Sequence, residues 1–108
     1  MNPEKVNEAV SSVKELADFM QRMEMPKWAE RYRAIEKELL AGNIEGAVNL
    51  EQNIFKAGMG GLYDLYISVS NGHPTTDPDA DNDLLNKLTG SVSQSFSALR
   101  KVLKGYAK

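Results

Sequence analysis

The chain has no cysteine among its 108 residues. That excludes disulfides, thiolate nucleophiles and cysteine-ligated zinc or iron–sulfur centres. It is compatible with a reducing compartment, and the cytoplasm is the location expected. Neither sign of charge dominates, with 13 Lys and Arg against 15 Asp and Glu and a net charge of −2. The bulk basicity of nucleic-acid-binding domains is absent, so no nucleic-acid partner is predicted. No apolar run approaches the ~20 residues of a membrane-spanning helix. No basic segment leads into an apolar one at the start, so neither a signal peptide nor a membrane partner is expected. There is no internal repeat, low-complexity tract or linker.

What is present is an ordinary globular composition, 42% hydrophobic and 26% charged,. Its length fits one domain spanning residues 1–108. Such a domain buries roughly 65% of the surface its unfolded chain exposes. Val6, Ala9, Val10, Val13, Leu16, Ala17 and Met20 recur at three- and four-residue steps, one apolar stripe of a first helix,. Asn2 can cap it and Pro3 suits its first position. Phe19 falls roughly 110° from the stripe centre at ~100° per residue, which places it at the helix edge or in solvent. After a break at Glu24-Met25, Pro26 opens a second helix with Trp28, Tyr32, Ile35 and Leu39 on one face,. Gly42 ends it, and Asn43 caps a third helix carrying Ile44, Ala47, Val48, Leu50, Ile54 and Phe55,.

The last helix is the clearest. Asp77 or Thr76 can cap it, and Pro78 fits its first turn. Its stripe runs Leu84, Leu85, Leu88, Val92, Phe96, Leu99, Val102, Leu103 and Tyr106,. Aspartates crowd its N-terminus and Arg100, Lys101 and Lys104 its C-terminus, both favoured by the helix dipole,. Ser95 lies on the stripe and permits close approach of another helix. The pattern predicts a mainly all-α fold, a four-helix bundle-like or orthogonal array. A short irregular or strand-like insert, at about residues 57–76, lies between the third and fourth helices.

That insert departs from helical patterning. It holds Gly58, Gly60, Gly61 and Gly72, Tyr63 and Tyr66, and the only histidine, His73. Leu62 to Ile67 is rich in aromatic and branched residues, and strand and helical turn both stay open for it. Asn71-Gly72 is a turn signal.

Several chemistries can be weighed. Asp77, Asp79 and Asp81 match the first ligand positions of a calcium loop, but Asn82 and Leu88 stand where its glycine and bidentate glutamate belong,. Capping explains the aspartates without a metal, and no metal site is predicted. The glycines of the insert lack the Lys-Ser or Lys-Thr of a phosphate loop, and no cofactor is predicted. His73 with Asp64 as its orienting partner is an acid–base arrangement without an identifiable nucleophile, and no catalytic residue is assigned. Glu51 falls inside the apolar stripe of the third helix, where isolation raises the pKa. It is expected to reach the rim or to meet a donor from the insert, Tyr63, Tyr66 or His73. Met20, Met23 and Met25 near Trp28 are expected in the core. Exposed with Phe19, Met23 and Met25 would instead make a docking patch.

Pro26-Lys27-Trp28-Ala29, Ala41-Gly42-Asn43, Gly58-Met59-Gly60-Gly61-Leu62-Tyr63-Asp64-Leu65 and Asn71-Gly72-His73 follow one another in this order. In them the chain resembles a family of small bacterial helical proteins with P-x-W-A, G-M-G-x-L-x-D-L and N-G-H segments. The resemblance spans most of the chain and implies a compact bacterial helical domain. It brings no settled activity.

The function expected is a small protein-binding module, in its most concrete form an immunity protein that neutralises a bacterial toxin by occlusion. Small size, slight acidity and aromatics suited to anchoring an interface motivate it. The binding residues expected are Met59, Tyr63, Asp64, Tyr66 and His73 of the insert, with Glu51 and Trp28. The alternatives are a ligand-binding or catalytic protein using Asp64 and His73, and a self-associating helical protein, for instance a homodimer.

Overall fold

The computed structural model describes residues 3–55 and 72–104, with Phe55 as backbone alone. These residues form four helices, α1 (Pro3–Arg22), α2 (Pro26–Leu40), α3 (Ile44–Phe55) and α4 (Pro78–Leu103). There is no strand among them. The architecture is all-α and bundle-like. Helix α1 packs on both α2 and α4, and α3 packs on α2 and more sparingly on α4.

Two tight turns set the packing of the first three helices. Met23–Met25 joins α1 to α2. The Glu24 N–H donates to Gln21 O at 3.1 Å and the Met25 N–H to Met20 O at 2.9 Å. These two bonds close a Schellman end, which requires a left-handed residue between them. Glu24 fills that position at φ 57°, where glycine is the usual choice,. The α2–α3 turn repeats the device with glycine. Gly42, at φ 82°, donates to Leu39 O at 3.1 Å, and Asn43 N–H donates to Glu38 O at 2.9 Å. Asn43 also caps α3, its Oδ1 accepting from Gly46 N–H at 3.1 Å. Its Nδ2 donates to Glu38 Oε2 at 2.7 Å. One asparagine thus closes one helix and opens the next.

Ahead of α4, residues 72–77 are non-helical. Asp77 is the N-cap, accepting from Ala80 N–H at 3.2 Å, and Pro78 follows it,. Thr75, itself buried, donates its hydroxyl to Asp81. The aspartates read above against a calcium loop therefore serve the helix start. Among the described residues no group of three His, Asp or Glu is arranged to hold a metal.

The core draws on all four helices, with Leu16, Met20, Tyr32, Ile35, Phe96 and Leu99 among its fully buried members. Each large apolar side chain so buried stabilises the fold by about 1.5–3 kcal/mol. Ser95 meets α1 as its place on the stripe suggests, with Ser12 Oγ donating to Ser95 Oγ at 3.2 Å.

Phe19 corrects the sequence reading. It is 2% exposed, neither at the edge nor in solvent. The reason is that α1 has neighbours on two sides, so its apolar face is wider than one stripe. Arg22 covers the ring, its Cζ 5.3 Å from the centroid,. Met23 and Met25 are buried beside it in the core cluster, so no methionine patch exists there. Conversely Leu50 and Leu103, on apolar runs in the sequence, are 38% and 43% exposed.

Candidate functional site

Of the residues expected to bind, Trp28, Glu51 and His73 are described. Met59, Tyr63, Asp64 and Tyr66 lie outside the described residues, as do the Gly58–Gly61 hinge and the 62–67 segment.

Glu51 is 1% exposed and meets neither the rim nor His73. Its Oε1 accepts from Arg100 Nη1 of α4 at 2.8 Å. His73 precedes the start of α4, and Pro78 to Arg100 spans about 33 Å of helix at 1.5 Å per residue. The two candidates therefore sit toward opposite ends of that helix. Among the described residues, Glu51 Oε2 has no hydrogen-bond partner. Burial pushes its carboxyl above the ordinary glutamate value, and Arg100 offsets part of that rise,. Glu51 is thus a tie between α3 and α4, where helix packing is sparse.

His73 is half-buried, and its carbonyl accepts from the Thr75 N–H at 2.9 Å. It belongs to the turn that leads into α4.

Trp28 lies half-buried at the N-terminal end of α2, against the core cluster. Arg31, one turn on, lays its guanidinium over the ring, Cζ 4.8 Å from the centroid. Arg31 also lines a groove of ~320 Å³ between α2 and α3, together with Ala34, Leu50, Asn53 and Ile54. Among the described residues its lining is mostly apolar, and Arg31 is the single charge in it. Among the described residues no carboxylate pairs with Arg31, whereas Arg33 and Arg100 both have ion-pair partners.

Apart from Trp28, which touches Arg31, sequence reasoning missed this groove. Two signals point to it. Leu50 sits ~100° from Glu51, the middle of the α3 stripe, so it cannot share the buried face. Trp28 and Arg31 are three apart on one helix face, the spacing at which side chains meet.

Two other concavities differ in character. Between α1 and α4, a shallow groove of ~640 Å³ is polar, lined by Glu4, Glu8 and Glu15 with Ser91, Gln94 and Ser95 among its other residues. Beside the Glu51–Arg100 pair, one of ~310 Å³ is lined by Val48, Gln52, Arg100, Leu103 and Lys104 with Glu45 and Asn49. No helix among the described residues is long and apolar enough to cross a membrane. Comparison with protein-family models, curated proteins and solved structures finds no match.

Proposed function

We propose that this chain is a small protein-binding module that docks its partner on the α2/α3 face. In its most concrete form it is an immunity protein that neutralises a bacterial toxin by covering it. The observation that carries the reading is the apolar groove lined by Arg31, whose guanidinium lies over Trp28. Tryptophan and arginine are enriched where interfaces concentrate their binding energy, and an exposed apolar concavity with a polar rim is the usual surface for it. The Tyr63 and Tyr66 anchors expected from the sequence enter the same proposal as additional contacts.

Affinity capture from the source cells tests this with wild type, Leu50→Asp and the Tyr63→Ala/Tyr66→Ala pair. The reading expects one protein retained by wild type and lost from folded Leu50→Asp. A partner retained equally by Leu50→Asp removes the α2/α3 face from the proposal. A toxin reading further expects the captured protein to lose its activity when bound.

A further inference from the structure

Resting on that docking reading, we infer that the α2/α3 groove receives an amphipathic helical segment that is apolar and acidic, its apolar anchor seated between Ala34, Leu50 and Ile54 and its carboxylate on Arg31. A groove between two packed helices is the surface into which a third helix lays its apolar face. Its volume of ~320 Å³, at the low end of ligand-pocket sizes, is enough to seat apolar side chains,.

Charge then selects the partner. Among the described residues the lining holds one cation and no anion. Arg31 lies over Trp28, and no carboxylate among the described residues takes its N–H donors, which suit an acceptor on a partner,. Of the five glutamates on these two helices three have partners elsewhere, Glu45 lines the groove beside Arg100, and Glu30 forms no ion pair with Arg31. Glu36 pairs with Arg33 at 3.5 Å, Glu38 with Asn43 at 2.7 Å and Glu51 with Arg100 at 2.8 Å. A carboxylate on the incoming helix would gain a bidentate, charge-assisted contact. A lysine at the same place would meet Arg31 as a like charge. Asn53, exposed on the opposite wall, suits either a donor or an acceptor and does not discriminate,.

The chain carries its own reporter, because Trp28 is the single tryptophan and lies under Arg31, which lines the groove. The test titrates the full chain with two fluorescein-labelled helical peptides of about 15 residues, long enough to hold helix marginally in water. One has a leucine face flanked by glutamates, and the other has every glutamate replaced by lysine. Trp28 emission and peptide anisotropy are followed together. The expected result is saturable binding of the acidic peptide, at least about tenfold tighter than the basic one and weakened by salt. Arg31→Ala should weaken the acidic peptide by about tenfold and, by removing the like charge, leave the basic one no weaker, so that the preference between them closes. Leu50→Asp should abolish binding with helicity and melting temperature retained.

Equal binding of the two peptides, no saturable binding of either, or acidic-peptide binding that survives Leu50→Asp overturns the inference. If cell capture still depends on Leu50 in that event, the docking reading stands and only this partner chemistry falls.

Discussion

Glu51 and Arg100 form the one ion pair among the described residues in which a member is almost wholly buried. A charge taken out of water costs several kcal/mol unless it is paired, and removal of one partner leaves that cost uncompensated. Arg100 keeps a 29% exposed side chain, so water relieves part of the penalty. Arg100→Ala should therefore cost about 3 kcal/mol at neutral pH, the lower end for a broken buried pair, as read by urea denaturation. The raised Glu51 carboxyl also fixes the sign of a pH effect. The folded chain holds that proton more tightly than the unfolded chain. Between the ordinary glutamate value and the raised one, stability from this group falls as pH rises. Relative to Glu51→Gln, wild type should lose stability across that window on going from acid toward neutral pH. A flat difference would mean that Glu51 titrates alike in both states.

At the scale of elements, the helix ends are where small changes act. Glu24 occupies a left-handed position that costs a side-chain-bearing residue about 1–2 kcal/mol, and glycine returns about 0.5–1 of this as lost backbone entropy. Glu24→Gly should stabilise the fold by about 0.5–1 kcal/mol by chemical denaturation. A loss on that substitution would show that the Glu24 side chain contributes something the turn geometry does not reveal. Gly46 behaves differently. A Cβ there would lie 2.4 Å from Asn43 Nδ2, inside the cap of α3. Gly46→Ala gains about 1 kcal/mol of helix propensity and loses a cap worth about as much. It should be near neutral in wild type and stabilising by about 1 kcal/mol in an Asn43→Ala background. Equal effects in both backgrounds would separate Gly46 from the cap.

These same elements show what the sequence makes legible. Capping residues, Pro26 and Pro78 at helix starts, and Gly42 at a helix end are local signals, and the helices begin and end at them. Phe19 is not local. Its burial depends on α1 having two neighbours, which no single-helix periodicity contains. Glu51 was readable as a charge on a buried face, but its partner lies 49 residues away on α4 and only packing brings them together. The groove required the same information, since Ala34 and Leu50 become neighbours only when α2 and α3 pack.

For the whole molecule, the bundle buries one continuous core and leaves an apolar groove on the α2/α3 side, a polar one between α1 and α4, and a mixed one beside Arg100. The account assigns docking to the first. Because the chain has no native cysteine, one introduced thiol carries a photo-crosslinker to a single place. Asn53→Cys puts it on the wall of the α2/α3 groove, and Gln94→Cys puts it in the polar α1/α4 groove as a control. Both native side chains are exposed, so each substitution should move stability by no more than about 0.5 kcal/mol,. The decisive measurement is crosslinking of the two labelled chains in extracts of the source cells, read by mass spectrometry. The account predicts a discrete adduct with one protein from Asn53→Cys and none from Gln94→Cys. The same adduct from Gln94→Cys alone, or equally from both, would contradict it.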